Sequence, residues 1–203
     1  MLKLLKVNSL FSLIILISLT SCDQTNPNWK EDAAQAKHLH NSMQKITDVI
    51  VHDIFSPPVA SRIYAYSSIA GYEALQNGYD DYQSLEGQLR DLKGVPQPNP
   101  NQEYCYPLAS AQAMLTVGKA LIFSEPMIEE FQNELYAEMK SVKMPQAVYD
   151  ASIEYGNAVA EHILGWANHD MYKETRTFPK FSITDDPARW KPTPPDYMDG
   201  IEP

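Results

Sequence analysis

Asp48-Val49-Ile50-Val51-His52-Asp53-Ile54-Phe55-Ser56-Pro57-Pro58-Val59-Ala60-Ser61-Arg62-Ile63-Tyr64-Ala65-Tyr66 contains the end of one helix and the start of the next. Upstream, Leu39, Met43, Ile46, Ile50 and Ile54 recur at three- and four-residue steps, one apolar stripe on a helix predicted from Trp29 to Phe55. Ser56-Pro57-Pro58 stops that helix and starts another: serine suits the cap, and proline suits a first turn where no amide hydrogen is needed. Val59, Ile63, Tyr66, Ile69 or Ala70, and Glu73-Ala74 carry the second stripe to Asn77-Gly78, a C-terminal stop.

The same punctuation recurs downstream. After a connector from Tyr79 to Tyr106, with Gly94, Pro96, Pro98 and Pro100 in its second half, Pro107 opens a helix from Leu108 to Phe123. That helix is rich in Ala and Leu with few charges, which predicts a central, buried position. Ser124-Glu125-Pro126 restarts the chain into a helix with Ile128, Phe131, Leu135 and Met139 on one face. Pro145 begins the last, striped by Val148, Ser152, Tyr155, Val159, Ile163 and Trp166. The expectation is an all-α fold: about five helices in an antiparallel-type bundle over residues 31–173. Residues 174–203 form an irregular, Pro-rich connector carrying Trp190, Tyr197 and Ile201 without evident local partners, as if leading into a further domain.

The amino end reads as a processing signal. Lys3 and Lys6 precede the apolar run Leu10–Leu19, which is too short to span a bilayer as a mature helix. Leu19-Thr20-Ser21-Cys22 resembles the bacterial lipobox, which assigns residues 1–21 to a lipoprotein signal peptide, Cys22 to lipidation and residues 22–30 to a polar tether. The protein is then expected to be exported and held on a membrane, outer membrane or cell surface, by its lipid. Processing removes two lysines and no acidic residue, so the formal charge moves from −10 to −12. Such a body is repelled by nucleic acid and anionic headgroups, so no nucleic-acid partner is expected. Cys105 would be left without a disulfide partner in the chain.

For chemistry the sequence offers mainly absences. No Gly-x-Gly-x-x-Gly or Walker-type loop occurs. No histidine follows a glutamate at the Glu-x-x-His spacing of carboxylate-bridged metal bundles. His38 and His40 stand two residues apart on a helix, point in different directions and are expected on a solvated face. His52, beside Asp53 and a turn after Asp48, suits a helix C-terminus electrostatically. Arg62 lies among Tyr64, Tyr66, Tyr72 and Glu73, either as an anion-binding arginine on a tyrosine wall or, as favoured here, paired with a carboxylate of a neighbouring helix. His162 is expected as a hydrogen-bonded core histidine. No catalytic, cofactor-binding or metal-binding residue is assigned.

The run Asp48–Tyr66, continuing through Ala70-Gly71-Tyr72-Glu73-Ala74, resembles the N-terminal part of vanadium-dependent haloperoxidases, in particular lipoprotein-type bacterial members of the type 2 phosphatidic acid phosphatase superfamily. Tyr104–Ser110, Gly118–Ser124 and the closing Trp190-x-Pro192-Thr193-Pro194-Pro195 resemble the same subgroup. The resemblance implies the N-terminal helical half of a haloperoxidase-like fold. It also implies a site for vanadate, or for phosphate in the phosphatases, built from Lys-x6-Arg-Pro, Pro-Ser-Gly-His and Ser-Arg-x5-His. None of these is in the chain: Arg-Pro and Ser-Gly-His are absent, and Ser61-Arg62 is followed by Ser68 where the histidine should fall. Vanadate is therefore expected only with a missing C-terminal catalytic half, this chain being its non-catalytic, truncated or split scaffold. The alternative is a stand-alone helical lipoprotein that binds a glycan or a protein.

Overall fold

Proline marks the start of every long helix after the first. The computed structural model describes residues 25–198 and 200; the signal peptide, Cys22 and Ile201 lie outside them. Within the described residues the helices are α1 (Trp29–Ala33), α2 (Lys37–His52), α3 (Pro57–Gln76), α4 (Tyr106–Ala120), α5 (Glu125–Ser141), α6 (Gln146–Ala167) and α7 (Tyr172–Thr175). Pro57, Pro107 and Pro126 stand in first turns, where the missing N–H costs nothing, and Pro145 takes the N-cap of α6 with extended backbone. Among the described residues there are five long helices, two short ones and no strand, so the all-α expectation holds.

α4 is the hub, packing against α2, α3, α5 and α6. Its sequence explains the place: Ala109, Ala111, Ala113 and Gly118 keep its surface slim enough for neighbours on several sides, and all four are buried. α6 approaches tightly at Gly156, where a Cβ would stand 2.6 Å from the Ala109 carbonyl oxygen. On one side Ile46, Leu108, Leu115, Ile128 and Met139 share a core. On another, Ala70, Ala74, Val159 and Ile163 pack with Leu92 of the long connector. Each fully buried Ile or Leu contributes about 1.5–3 kcal/mol by leaving water.

The connector is anchored by two carboxylates. Glu73, fully buried on α3, accepts from the Leu85 amide at 2.6 Å and from Ser84 Oγ at 2.8 Å. Glu86 accepts from the amides of Gly94 at 2.6 Å and Val95 at 3.3 Å, closing a loop over buried Leu92.

Several expectations need correction. The helix expected from Trp29 to Phe55 is two helices, parted at Ala34–Ala36, and ends at His52. Ile54 leaves the stripe: it has φ 57° and is 87% exposed, while Val49 holds the core position. The helix end is closed by the Ile54 and Phe55 amides, which donate to the Val51 and Ile50 carbonyls at 3.2 Å each, with Ile54 at the left-handed position. The Asp53 carboxylate ties this end to the next turn by accepting from the Phe123 and Ser124 amides at 2.9 and 3.0 Å and from Ser124 Oγ. Phe123 likewise lies beyond α4. Within the predicted tether, Asn26 donates its amide to the Lys143 carbonyl at 3.0 Å and Trp29 is buried. Trp190, expected without a partner, packs edge-on to Phe181 at 5.8 Å.

Candidate functional site

The favoured reading of Arg62 is the one observed, with its carboxylate supplied by the turn after α6. Arg62 Nε donates to Asp170 Oδ2 at 2.6 Å, and Nη2 donates to the Ala167 carbonyl at 3.4 Å. The guanidinium carbon lies 5.1 Å from the Tyr66 ring centre and 4.4 Å from that of Tyr172, between two faces that favour a cation. Tyr66 Oη donates to Asp170 Oδ2 at 3.1 Å, and the Tyr172 amide donates to Oδ1 at 3.0 Å. Met171, with φ 65°, makes the left-handed step that brings Tyr172 back over Arg62. The side chains of Arg62 and Asp170 are only 16% and 22% exposed, so the pair is largely shielded from water.

Charge follows from this packing. Burial alone would raise the Asp170 carboxyl, but the hydrogen bonds from Arg62 and the Tyr172 amide, together with the Arg62 charge, hold it below its ordinary value. Burial and then the Asp170 charge push the Tyr66 phenol up to about 12, so it remains a donor. The cluster is a satisfied ion pair with an aromatic sleeve, and its cation is already neutralised.

Beside it opens a cleft of about 820 Å³, lined from the end of α6 by His162, Trp166 and His169, from the connector by Arg90, Asp91 and Lys93, and by Tyr66 and Asp170. Trp166 packs edge-on to Tyr66 at 5.3 Å and donates Nε1 to the Arg90 carbonyl at 3.2 Å, so the connector forms one wall. His169 Nδ1 lies 2.9 Å from the Gly165 carbonyl oxygen, which assigns the proton to Nδ1. His162, expected in the core, is half-buried and faces this cleft. Sequence reasoning missed the cleft and Asp170, because 108 residues separate that carboxylate from Arg62 and no local pattern links them.

The other histidines stand apart. His38 is 2% exposed, so the expectation of a solvated face fails for it, while His40 is exposed. The start of α2 packs on α5, which turns His38 inward with Nδ1 3.7 Å from Glu138 Oε2. Burial lowers the His38 pKa, Glu138 opposes that and Lys37 adds to it. Among the described residues no group of three His, Cys, Asp or Glu side chains is placed to hold a metal ion. Among them, too, no helix is long and apolar enough to cross a membrane. Cys105 is a buried free thiol, its pKa pushed by burial up to about 11.

Among solved structures the chain is similar to a bacterial vanadium-dependent iodoperoxidase, with 44% sequence identity and a TM-score of 0.71, covering 81% of this chain and 40% of that one. The chain thus spans 40% of that relative's length. No family model and no curated protein matches it.

Proposed function

The chain is a relative of the vanadium-dependent haloperoxidases, and from that premise we propose that it is the N-terminal, non-catalytic helical scaffold of such a protein, inactive alone. The observation that carries this reading is the fate of Arg62. It is the arginine of the chain's one Ser-Arg pair, and its guanidinium is committed to Asp170 between two tyrosine rings rather than offered to a ligand.

Vanadate does not fit the residues described. An oxyanion needs several uncommitted positive donors converging on one point. In the cleft, Arg90 is almost fully exposed and lies 3.4 Å from its neighbour Asp91, Lys93 is likewise exposed on the connector, and Asp91 and Asp170 add two carboxylates to the lining. We therefore assign oxyanion binding and turnover to a C-terminal catalytic part outside this chain. Cys22 acylation would hold the whole on a membrane after export.

Equilibrium dialysis against orthovanadate, with a triiodide assay in iodide and hydrogen peroxide, tests the reading. The chain alone is expected to bind no stoichiometric vanadate and to form no triiodide above a mock preparation. Stoichiometric capture or turnover would refute it. Palmitate labelling of the wild type and of Cys22→Ala tests the anchor, with label expected only on the wild type.

One observation favours a second reading, a stand-alone lipoprotein that binds a glycan or a protein: the cleft presents Trp166 and Tyr66 beside several polar side chains. Retention on a glycan array that is lost in Trp166→Ala would support it.

A further inference from the structure

The cleft beside the Arg62–Asp170 pair is the part of the molecule that a scaffold role leaves without a use. Its volume of about 820 Å³ falls in the upper part of the range for small-ligand sites, about 300–1,000 Å³. The end of α6 is its floor. His162 and Trp166 stand one turn apart there and His169 follows in the turn beyond, so three ring side chains line the cleft over roughly 10 Å. Gly165 lies among them, and a Cβ added to it would meet nothing within 4 Å. A glycine inside a helix is costly, and nothing packs against this one; what it provides is room.

The opposite wall is the connector, held from beneath. Leu92 is fully buried in one core with Val159 and Ile163, while its neighbours Arg90, Asp91 and Lys93 line the cleft. Trp166 Nε1 donates to the Arg90 carbonyl at 3.2 Å, and that bond, with the edge-on Tyr66 ring, fixes the indole in place. Polar groups on both sides remain open. His169 Nδ1 is committed to the Gly165 carbonyl, which leaves Nε2 as an acceptor. Among the described residues, the His162 ring and the Lys93 ammonium have no hydrogen bond or ion pair. The Asp91 carboxylate lies 3.4 Å from Arg90 and is largely exposed.

We propose that this cleft binds a short, neutral oligosaccharide, laid along the end of α6 with a sugar ring against Trp166. This deepens the second reading above, on which it rests, and holds whether the chain acts alone or beside a catalytic part. The class follows from the lining. An anion would meet Asp91 and Asp170, and a cation would meet Arg90 and Lys93. A protein partner needs a broad face, whereas this surface is concave. A hydrocarbon would strip water from Asp91, Lys93 and both histidines without replacing it. A sugar answers each point: it is uncharged, the C–H face of its ring packs on an indole, and each hydroxyl both donates and accepts. Its hydroxyls donate to Asp91 and to His169 Nε2 and accept from Lys93. The indole and the connector wall are already held by the fold, so little is left to order on binding.

Titration calorimetry of the full chain tests this with cellotriose, xylotriose, laminaritriose and mannotriose, set against the anionic trigalacturonate and the cationic chitosan trimer. The expected result is binding of at least one neutral trimer, with both charged trimers weaker by about tenfold or more. Gly165→Leu fills the floor and Trp166→Ala removes the plate, and each should weaken binding by about tenfold or more. His169→Ala should weaken it too, and His169→Gln, which restores an acceptor, should recover part of the loss. Tyr82→Ser, on an exposed part of the connector outside the lining, should bind as the wild type does. Circular dichroism checks that each variant folds, and Lys93→Ala, at an exposed position, serves if Gly165→Leu does not. The proposal is overturned if no neutral trimer binds, if a charged trimer binds as tightly, or if Gly165→Leu and Lys93→Ala both bind like the wild type. Glycan-array retention in any of those cases leaves the second reading standing, and its absence as well overturns both.

Discussion

Removing Asp170 should unhook the end of α6 from α3, and the size of the loss follows from the geometry. In Asp170→Ala, Arg62 keeps a guanidinium that is only 16% exposed and loses its 2.6 Å carboxylate, retaining the long bond to the Ala167 carbonyl and the two rings. A charge-assisted bond of this kind is worth about 1.5–3 kcal/mol, and a shielded cation left unpaired adds to that, so a loss of about 2–3 kcal/mol is expected. In a chain of this size that lowers the melting midpoint by roughly 5–10 °C. Urea unfolding followed by far-UV circular dichroism gives the free energy, and a cycle with Arg62→Ala isolates the pair, with a coupling of about 1–2 kcal/mol expected. The acid limb adds a second readout. The folded Asp170 carboxyl lies below its ordinary value, so the folded state binds fewer protons there than the unfolded chain. Its contribution is complete above an unfolded pKa of about 3.9 and is lost as pH falls through the folded value; Asp170→Ala should flatten that part of the profile. A loss below about 0.5 kcal/mol, or strictly additive single variants, would refute the reasoning.

Further outcomes are open to measurement. Gly156→Ala drives a Cβ to 2.6 Å from the Ala109 carbonyl oxygen and should cost roughly 2–3 kcal/mol in urea unfolding; Gly118→Ala meets the flexible tip of Ile46 at 2.8 Å and should cost less. Gly165→Ala, on α6 with nothing within 4 Å, should raise stability by about 0.5–1 kcal/mol. Cys105, buried with its thiol pushed up to about 11, should resist Ellman's reagent at pH 8 and react on addition of urea; native-state labelling would contradict the placement. His38 has a lowered folded pKa, so its contribution is complete above an unfolded value of about 6.5 and is lost as pH falls below it. The unfolding midpoint should therefore drop from pH 7 to pH 5, and His38→Phe should reduce that slope.

The helix starts were legible because proline acts locally: Pro57, Pro107, Pro126 and Pro145 exclude the preceding helix and suit the next one, whatever surrounds them. The buried place of α4 was legible in its Ala-rich, charge-poor composition. The helix ends were less so. Periodicity alone would carry α2 through Ile54 and α4 through Phe123, but backbone bonds from Ile54 to Val51 and Phe55 to Ile50 close α2 early, and a contact between Asp53 and Ser124 that no spacing rule foretells fixes the two helix ends together. His38 lies at a position the stripe did not include, yet it turns inward because α5 covers the start of α2. Of the candidate site, Arg62 and its tyrosines were readable as an ion-pair cluster, whereas Asp170 and the wall made by Arg90 come from distant segments that no spacing rule connects.

With α4 touching four other helices, the chain has no early stretch that can complete a core before residue 106 emerges. Newly made α2 and α3 must wait with their apolar stripes uncovered while the connector is synthesised, which is when a holding chaperone would matter most. Once α4 arrives, it closes against both in one step, so the bundle should assemble as a single cooperative unit rather than piecewise.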